Sequence, residues 1–144
     1  MTKILFVCTG NTCRSPMAEA LLKHKNMGNI QVRSAGIYAN NGSAASANAN
    51  EVLKEKEIVL DHISCQLEKE HIDWSTYILT MTSNHKHLIV NTFPEAIYKT
   101  YTLKEFVEGE GGDISDPFGG SVQTYRQTMN ELEQLIEKLY KKLK

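Results

Sequence analysis

The first apolar run in the chain, Ile4-Leu5-Phe6-Val7, has no polar alternation, as expected of a strand buried on both faces of a parallel sheet. It runs into a polar stretch, Cys8-Thr9-Gly10-Asn11-Thr12-Cys13-Arg14-Ser15-Pro16. Pro16 suits the first turn of a helix, where a missing N–H costs nothing. Met17, Ala18, Ala20, Leu21 and Leu22 give that helix an apolar face reaching about Asn26. A second strand is predicted over Ile30 to Ser34, closed by Ala35-Gly36. The stretch from Ala39 to Asn50 is rich in Asn, Ala, Ser and Gly; its start reads as loop, and a helix is predicted over Ala44 to Glu57. A third strand follows at Tyr77 to Met81, a helix at Ser83 to about Phe93, and a fourth strand at Ile97 to Tyr101. Glu108 to Gly120, with its glycines and Pro117, reads as a long loop. Val122, Tyr125, Met129, Leu132, Ile136 and Leu139 recur at spacings of three and four, the clearest helix in the chain. Strands alternating with helices predict an α/β fold, a three-layer sandwich with a parallel sheet and helices on both faces.

Composition narrows the class more than the chemistry. At 144 residues, without internal repeat or linker, residues 1–144 are expected to form one domain. Hydrophobic residues at 41% and only 3 Pro argue against disorder. Lys+Arg of 16 against Asp+Glu of 17 leaves a net charge of −1, which suggests neither nucleic acid nor an anionic membrane as partner. No apolar run approaches the ~20 residues of a membrane span, and the N-terminus lacks signal-peptide architecture. Three cysteines cannot close a disulfide framework, so a cytoplasmic location is expected.

The chemistry concentrates in the loop after the first strand. In parallel sheets a ligand sits beyond the carboxyl ends of the strands, often where a loop feeds a helix N-terminus. Successive N–H groups of a tight loop converge into an anion nest, and the helix dipole adds positive potential. Arg14 offers a planar fork for two phosphoryl oxygens. The same field favours the thiolate of Cys8 as a nucleophile, and Ser15 is placed to donate its hydroxyl to it. Gly10 is read as the residue giving the loop its conformational freedom. Cys-x5-Arg is weak as a bare spacing, and the rival reading is a structural turn with a buried Cys8. Strand, Gly10-Asn11 and helix together favour the anion site. Cys8 and Cys13 lack the partners zinc needs, and His85 and His87 point to different helix faces, so no metal is expected.

The segment Cys8 to Pro16 resembles the phosphate loop of the low-molecular-weight protein tyrosine phosphatases. Ser34-Ala35-Gly36, His62 and Asp116-Pro117-Phe118 fall in that family's order, so the resemblance covers nearly the whole chain. It implies a four-stranded parallel, flavodoxin-like sheet, a phosphocysteine intermediate, no metal or cofactor, phosphorylated protein substrates and a monomer. It also implies Cys8 as nucleophile, and Arg14 with the loop residues Thr9, Gly10, Asn11, Thr12, Cys13 and Ser15 as the phosphate cradle. Asp116 corresponds to the general acid, while Asp113 is read as shaping the loop. Asn11 is expected to brace the loop through Ser34, and His62 to buttress it from below. The other four histidines are read as surface residues. Cys13 is either a redox partner for Cys8 or a packed small side chain, and Cys65 is a bystander.

Thr12 bears on the substrate. Tyrosine-directed members usually carry a bulky aliphatic residue there, and a Thr resembles the protein arginine phosphatases, a bacterial branch of the family. A smaller hydroxyl-bearing residue makes room for a guanidinium group, which Asp116 could pair. Phe118 and the Ile37-Tyr38 pair are expected to wall the cleft, or Tyr38 and Phe118 are ordinary packing aromatics. Gly119-Gly120 after Asp116-Pro117-Phe118, and Ser64-Cys65-Gln66, also differ from the tyrosine-directed pattern. The reading is therefore a phosphoarginine phosphatase, with protein tyrosine phosphatase as the alternative. Arsenate reductase fails because Met81 to Phe93 holds no further cysteine. A non-catalytic phosphate-binding module has no need of Cys8 facing Arg14.

Overall fold

The structure is a computed structural model that describes residues 1–25 and 28–143. Four strands, β1 (Thr2–Cys8), β2 (Ile30–Gly36), β3 (Tyr77–Thr80) and β4 (Thr100–Thr102), form one sheet in the order β2-β1-β3-β4. Every pairing is parallel, with Cys8 opposite Gly36 and Val7 opposite Thr80. Side chains alternate across β1. Ile4, Phe6 and Cys8 enter one core with α1 (Arg14–His24), α2 (Ala47–Lys54) and α6 (Val122–Leu143). Leu5 and Val7 enter the other with α3 (Lys69–Trp74) and α4 (Ser83–Thr92). Both faces of β1 are therefore dry, which explains the unbroken apolar run; each such Ile, Leu or Phe contributes roughly 1.5–3 kcal/mol on burial. The strand order reverses beside β1, so the loop leaving Cys8 sits at the sheet's switch point.

Several boundaries differ from the predicted ones, for local reasons. The predicted end of α1 at Asn26 lies outside the described residues. Helix α2 starts later than Ala44, because Ala44 bridges to Ile63 and Ser46 is the cap, its Oγ accepting from Ala49 N–H at 3.2 Å. It ends earlier than Glu57, which turns left-handed at φ 61° while Ile58 N–H reaches back to Leu53 O. The fourth strand is not Ile97 to Tyr101. Pro94 opens a 3-10 turn over Pro94–Lys99, and β4 begins only at Thr100, whose Oγ1 donates to Ala96 O at 2.8 Å. Ile97 and Tyr98 are exposed, so their apolar character does not mark a core strand. Helices α3 and α5 (Leu103–Glu108) have six residues each, too few to show a period. Among the described residues no helix is long and apolar enough to cross a membrane.

Candidate active site

The loop from Cys8 to Arg14 is held by its carbonyls. Ile37 N–H donates to Cys8 O at 3.0 Å, Tyr38 N–H to Thr9 O at 2.9 Å and Ser46 N–H to Thr12 O at 2.9 Å. His62 Nε2 lies 2.8 Å from Asn11 O. In a trans peptide the N–H points opposite to its carbonyl. The N–H groups of Thr9, Gly10, Thr12 and Cys13 are therefore turned inward, and none meets an acceptor among the described residues. Converging N–H groups of this kind, backed by the N-terminus of α1, are an arrangement that can hold an anion.

Asn11 is the brace of this loop. It is fully buried, and its φ of 57° makes it the left-handed residue here. Gly10 is not: its φ is not positive, and a Cβ there would meet only Thr12 Oγ1 at 3.8 Å. The glycine that sterics demand is Gly36, where a Cβ would lie 2.6 Å from Thr9 O and 2.9 Å from Asn11 N. The Asn11 amide accepts at Oδ1 from Cys65 N–H at 3.0 Å, which fixes its orientation. Its Nδ2 then donates to Ser15 Oγ at 2.8 Å and to Ser34 Oγ at 2.9 Å. Ser34 Oγ in turn donates to Glu19 Oε1 at 2.5 Å. Ser15 Oγ lies 2.9 Å from Cys8 Sγ; because it already accepts from Asn11, its hydroxyl proton is free to face the sulfur.

Arg14 is buried, with Nη1 donating to Ile114 O at 2.8 Å and Nη2 lying 3.6 Å from Asp116 Oδ2. Asp116 is half exposed and takes Phe118 N–H at 3.0 Å, and its carboxylate faces the arginine. Asp113 instead accepts Ser83 N–H at 2.9 Å and ties that loop to the start of α4. Cys8, Thr9, Gly10, Thr12, Cys13, Arg14, Tyr38, Asp116 and Phe118 line one cleft of about 380 Å3. Ile37 is not in it; its side chain packs into the apolar layer with α3 and α4. Cys13 Sγ lies 3.2 Å from Tyr125 OH. Cys65 backs the loop, its Sγ donating to Ser34 O at 3.3 Å, and burial pushes its thiol up.

The histidines divide differently from the expectation. His24 and His87 are exposed, but His71 and His85 are buried. His71 Nδ1 accepts Glu68 N–H at the start of α3, and burial holds its protonation below the usual range. His85 Nε2 lies 2.9 Å from Thr9 Oγ1; burial, and next the Arg14 charge, push it down to about 4. Its place was readable in part, since His85 and Ile89 share the buried stripe of α4 at i, i+4 spacing. Glu19, Asn40 and Ser43 also belong to the site or its support and carry no sequence signal. A second cleft of about 340 Å3 over Glu19, Lys23, Glu57 and Asp61 has no cysteine in its walls. No cluster of three metal-ligating side chains occurs among the described residues.

The family model described as low molecular weight phosphotyrosine protein phosphatase matches residues 3–144. The chain belongs to that phosphatase family. A relative from Geobacillus stearothermophilus named protein-arginine-phosphatase is 60% identical over 141 residues, covering 98% of this chain and 95% of its own. The solved YwlE arginine phosphatase from the same organism superposes with a TM-score of 0.99 at 59% identity, covering 99% of this chain and 93% of that one. A mutant of YwlE arginine phosphatase with a phosphorylated active-site serine gives a TM-score of 0.96 at 47% identity, covering 99% and 95%. The family's flavodoxin-like, four-stranded parallel sheet is the architecture found here.

Proposed function

We propose that this phosphatase removes phosphate from phosphoarginine in proteins through a phosphocysteine intermediate. The observation that carries it is the juxtaposition of Cys8 Sγ with Ser15 Oγ at 2.9 Å, beneath four inward N–H groups and beside Arg14, in a cleft that Thr12 helps to wall. Cys8 Sγ attacks phosphorus, forming the S–P bond as the P–N bond breaks. The leaving guanidine nitrogen takes a proton from the Asp116 carboxyl. Asp116, now a carboxylate, takes a proton from water as that water attacks phosphorus. The S–P bond breaks, phosphate leaves and the Cys8 thiolate returns. Arg14 and the loop N–H groups hold the three non-bridging oxygens throughout, which is electrostatic preorganisation.

The polar wall at Thr12 and the 60% identical relative named for arginine support the choice of substrate. The family description supports phosphotyrosine as the second reading. Exposed Tyr38 and Phe118 suit either, since guanidinium and phenyl groups both stack on aromatic rings. The test compares kcat/KM on phosphoarginine and phosphotyrosine peptides in the wild type and in Thr12→Ile. Arginine preference that Thr12→Ile shifts toward tyrosine is expected; tyrosine preference in the wild type overturns the assignment. Cys8→Ser is expected to abolish turnover on both. The three free cysteines fit a reducing, cytoplasmic setting.

A further inference from the structure

His85 lies outside the nucleophile loop, the acid loop and the cleft wall, yet its ring reaches the loop. It stands in the first turn of α4, where Thr82 Oγ1 accepts its backbone N–H at 3.1 Å. Nε2 lies 2.9 Å from Thr9 Oγ1, and Nδ1 is buried without a partner among the described residues. That asymmetry selects a tautomer. A proton on Nδ1 would leave a buried N–H orphaned, the rarer and costlier defect, whereas a proton on Nε2 leaves only a bare lone pair. Burial and the neighbouring Arg14 charge keep the ring from carrying both protons at neutral pH, although Asp113 and Asp116 pull the other way. Nε2–H therefore donates and Thr9 Oγ1 accepts.

The consequence falls on the Thr9 hydroxyl. Its oxygen is loaded from behind by His85, and its own proton meets no other protein acceptor among the described residues. Thr9 lines the cleft beside Cys8 and Gly10. We propose that His85 is a positioning residue that fixes the Thr9 hydroxyl as a hydrogen-bond donor to a non-bridging oxygen of the phosphoryl group in the cleft. Asn11 does the same for Ser15, whose proton faces Cys8 Sγ. Each hydroxyl is thus oriented by an N–H donor behind it. The proposal rests on the reading that the cleft holds a phosphoryl group, and it is independent of which residue carries that group.

The test uses the full chain, inorganic phosphate and orthovanadate as inhibitors, and p-nitrophenyl phosphate as substrate. Thr9→Val keeps the shape and removes the hydroxyl; it is expected to weaken both inhibitors by about tenfold, as for a hydrogen bond to a charged acceptor. Thr9→Ser and His85→Gln, whose amide can donate from the Nε2 position, are expected to stay within about threefold of wild type. His85→Phe should lose as much as Thr9→Val, and the pair together no more than either alone. Long-range 1H–15N spectra are expected to show His85 protonated at Nε2. Wild-type inhibitor affinity in Thr9→Val, additive losses in the pair, or a proton on Nδ1 would each overturn the proposal. Thr9→Val keeps the test decisive if His85→Phe fails to fold, because Thr9 is exposed. A wild-type chain that binds neither inhibitor and hydrolyses nothing would instead overturn the phosphatase reading.

Discussion

Replacing Asn11 by alanine removes the centre of the network under the phosphate loop. Three hydrogen bonds disappear, to Ser15 at 2.8 Å, Ser34 at 2.9 Å and Cys65 N–H at 3.0 Å. Each is worth about 1 kcal/mol net, and the Cys65 N–H is left without its acceptor. Alanine also tolerates the left-handed φ of 57° less well than asparagine does. Together these give a loss of about 3–5 kcal/mol, a large share of the roughly 5–15 kcal/mol that holds a domain together. Urea denaturation at pH 7 reads it as a lower midpoint at unchanged m. Asn11→Asp separates stability from chemistry. A carboxylate would still accept from Cys65 N–H, but it would draw the Ser15 and Ser34 protons toward itself, and Ser15 could no longer donate to Cys8. Turnover is therefore expected to fall steeply in Asn11→Asp even where the protein remains folded. A loss below about 1 kcal/mol in Asn11→Ala with unchanged kcat/KM would refute the bracing role.

Gly36→Ala places a Cβ against Thr9 O and Asn11 N, both backbone atoms. A loss of about 1–3 kcal/mol is expected, with a larger relative loss of activity because the displaced atoms belong to the loop; wild-type kinetics would contradict it. Acid destabilisation should carry a His85 component. The unfolded imidazole binds its proton near 6.5, the folded one only near 4, so stability falls as the pH drops through that window. The full component is about 3 kcal/mol. Stability measured against pH in the wild type and in His85→Gln isolates it from His71, and parallel curves would argue against the buried neutral ring. Asp116→Asn is expected to lower kcat by about 100-fold or more while orthovanadate affinity survives, as for loss of a general acid. Loss of inhibitor binding would make Asp116 a structural partner of Arg14 instead.

The sheet was legible because β1 and β3 are apolar on both faces, and α6 because its stripe runs through 22 residues. β4 was misplaced because three residues carry no period, and because exposed Ile97 and Tyr98 imitate a strand. In the cleft, the loop residues from Cys8 to Arg14 were readable because they are contiguous, and the structure gathers all but Asn11 in one wall. The supports were not. Glu19 reaches Ser34 across a helix–strand interface, Ile114 reaches Arg14 through a carbonyl that any residue would present, and His85 meets Thr9 across 76 positions. Gly10 was credited with a freedom that the backbone gives to Asn11, because glycine and asparagine both tolerate left-handed φ and the sequence holds them side by side.

The location of charge explains how a chain of net charge −1 can hold a dianion. In and beneath the loop Asn11, Ser15, Ser34, Thr9 and neutral His85 act through oriented dipoles. The carboxylate in this layer, Glu19, is paired with Lys23 at 2.5 Å. Among the described residues that line the cleft, Arg14 carries the positive charge, buried where its field is least screened. A positively charged His85 would add attraction for phosphate, but it would sit beside Arg14 in a dry layer and destabilise the loop that both support. A neutral ring gives up that attraction and keeps the geometry, which is what hydrogen bonds aimed at developing charge require.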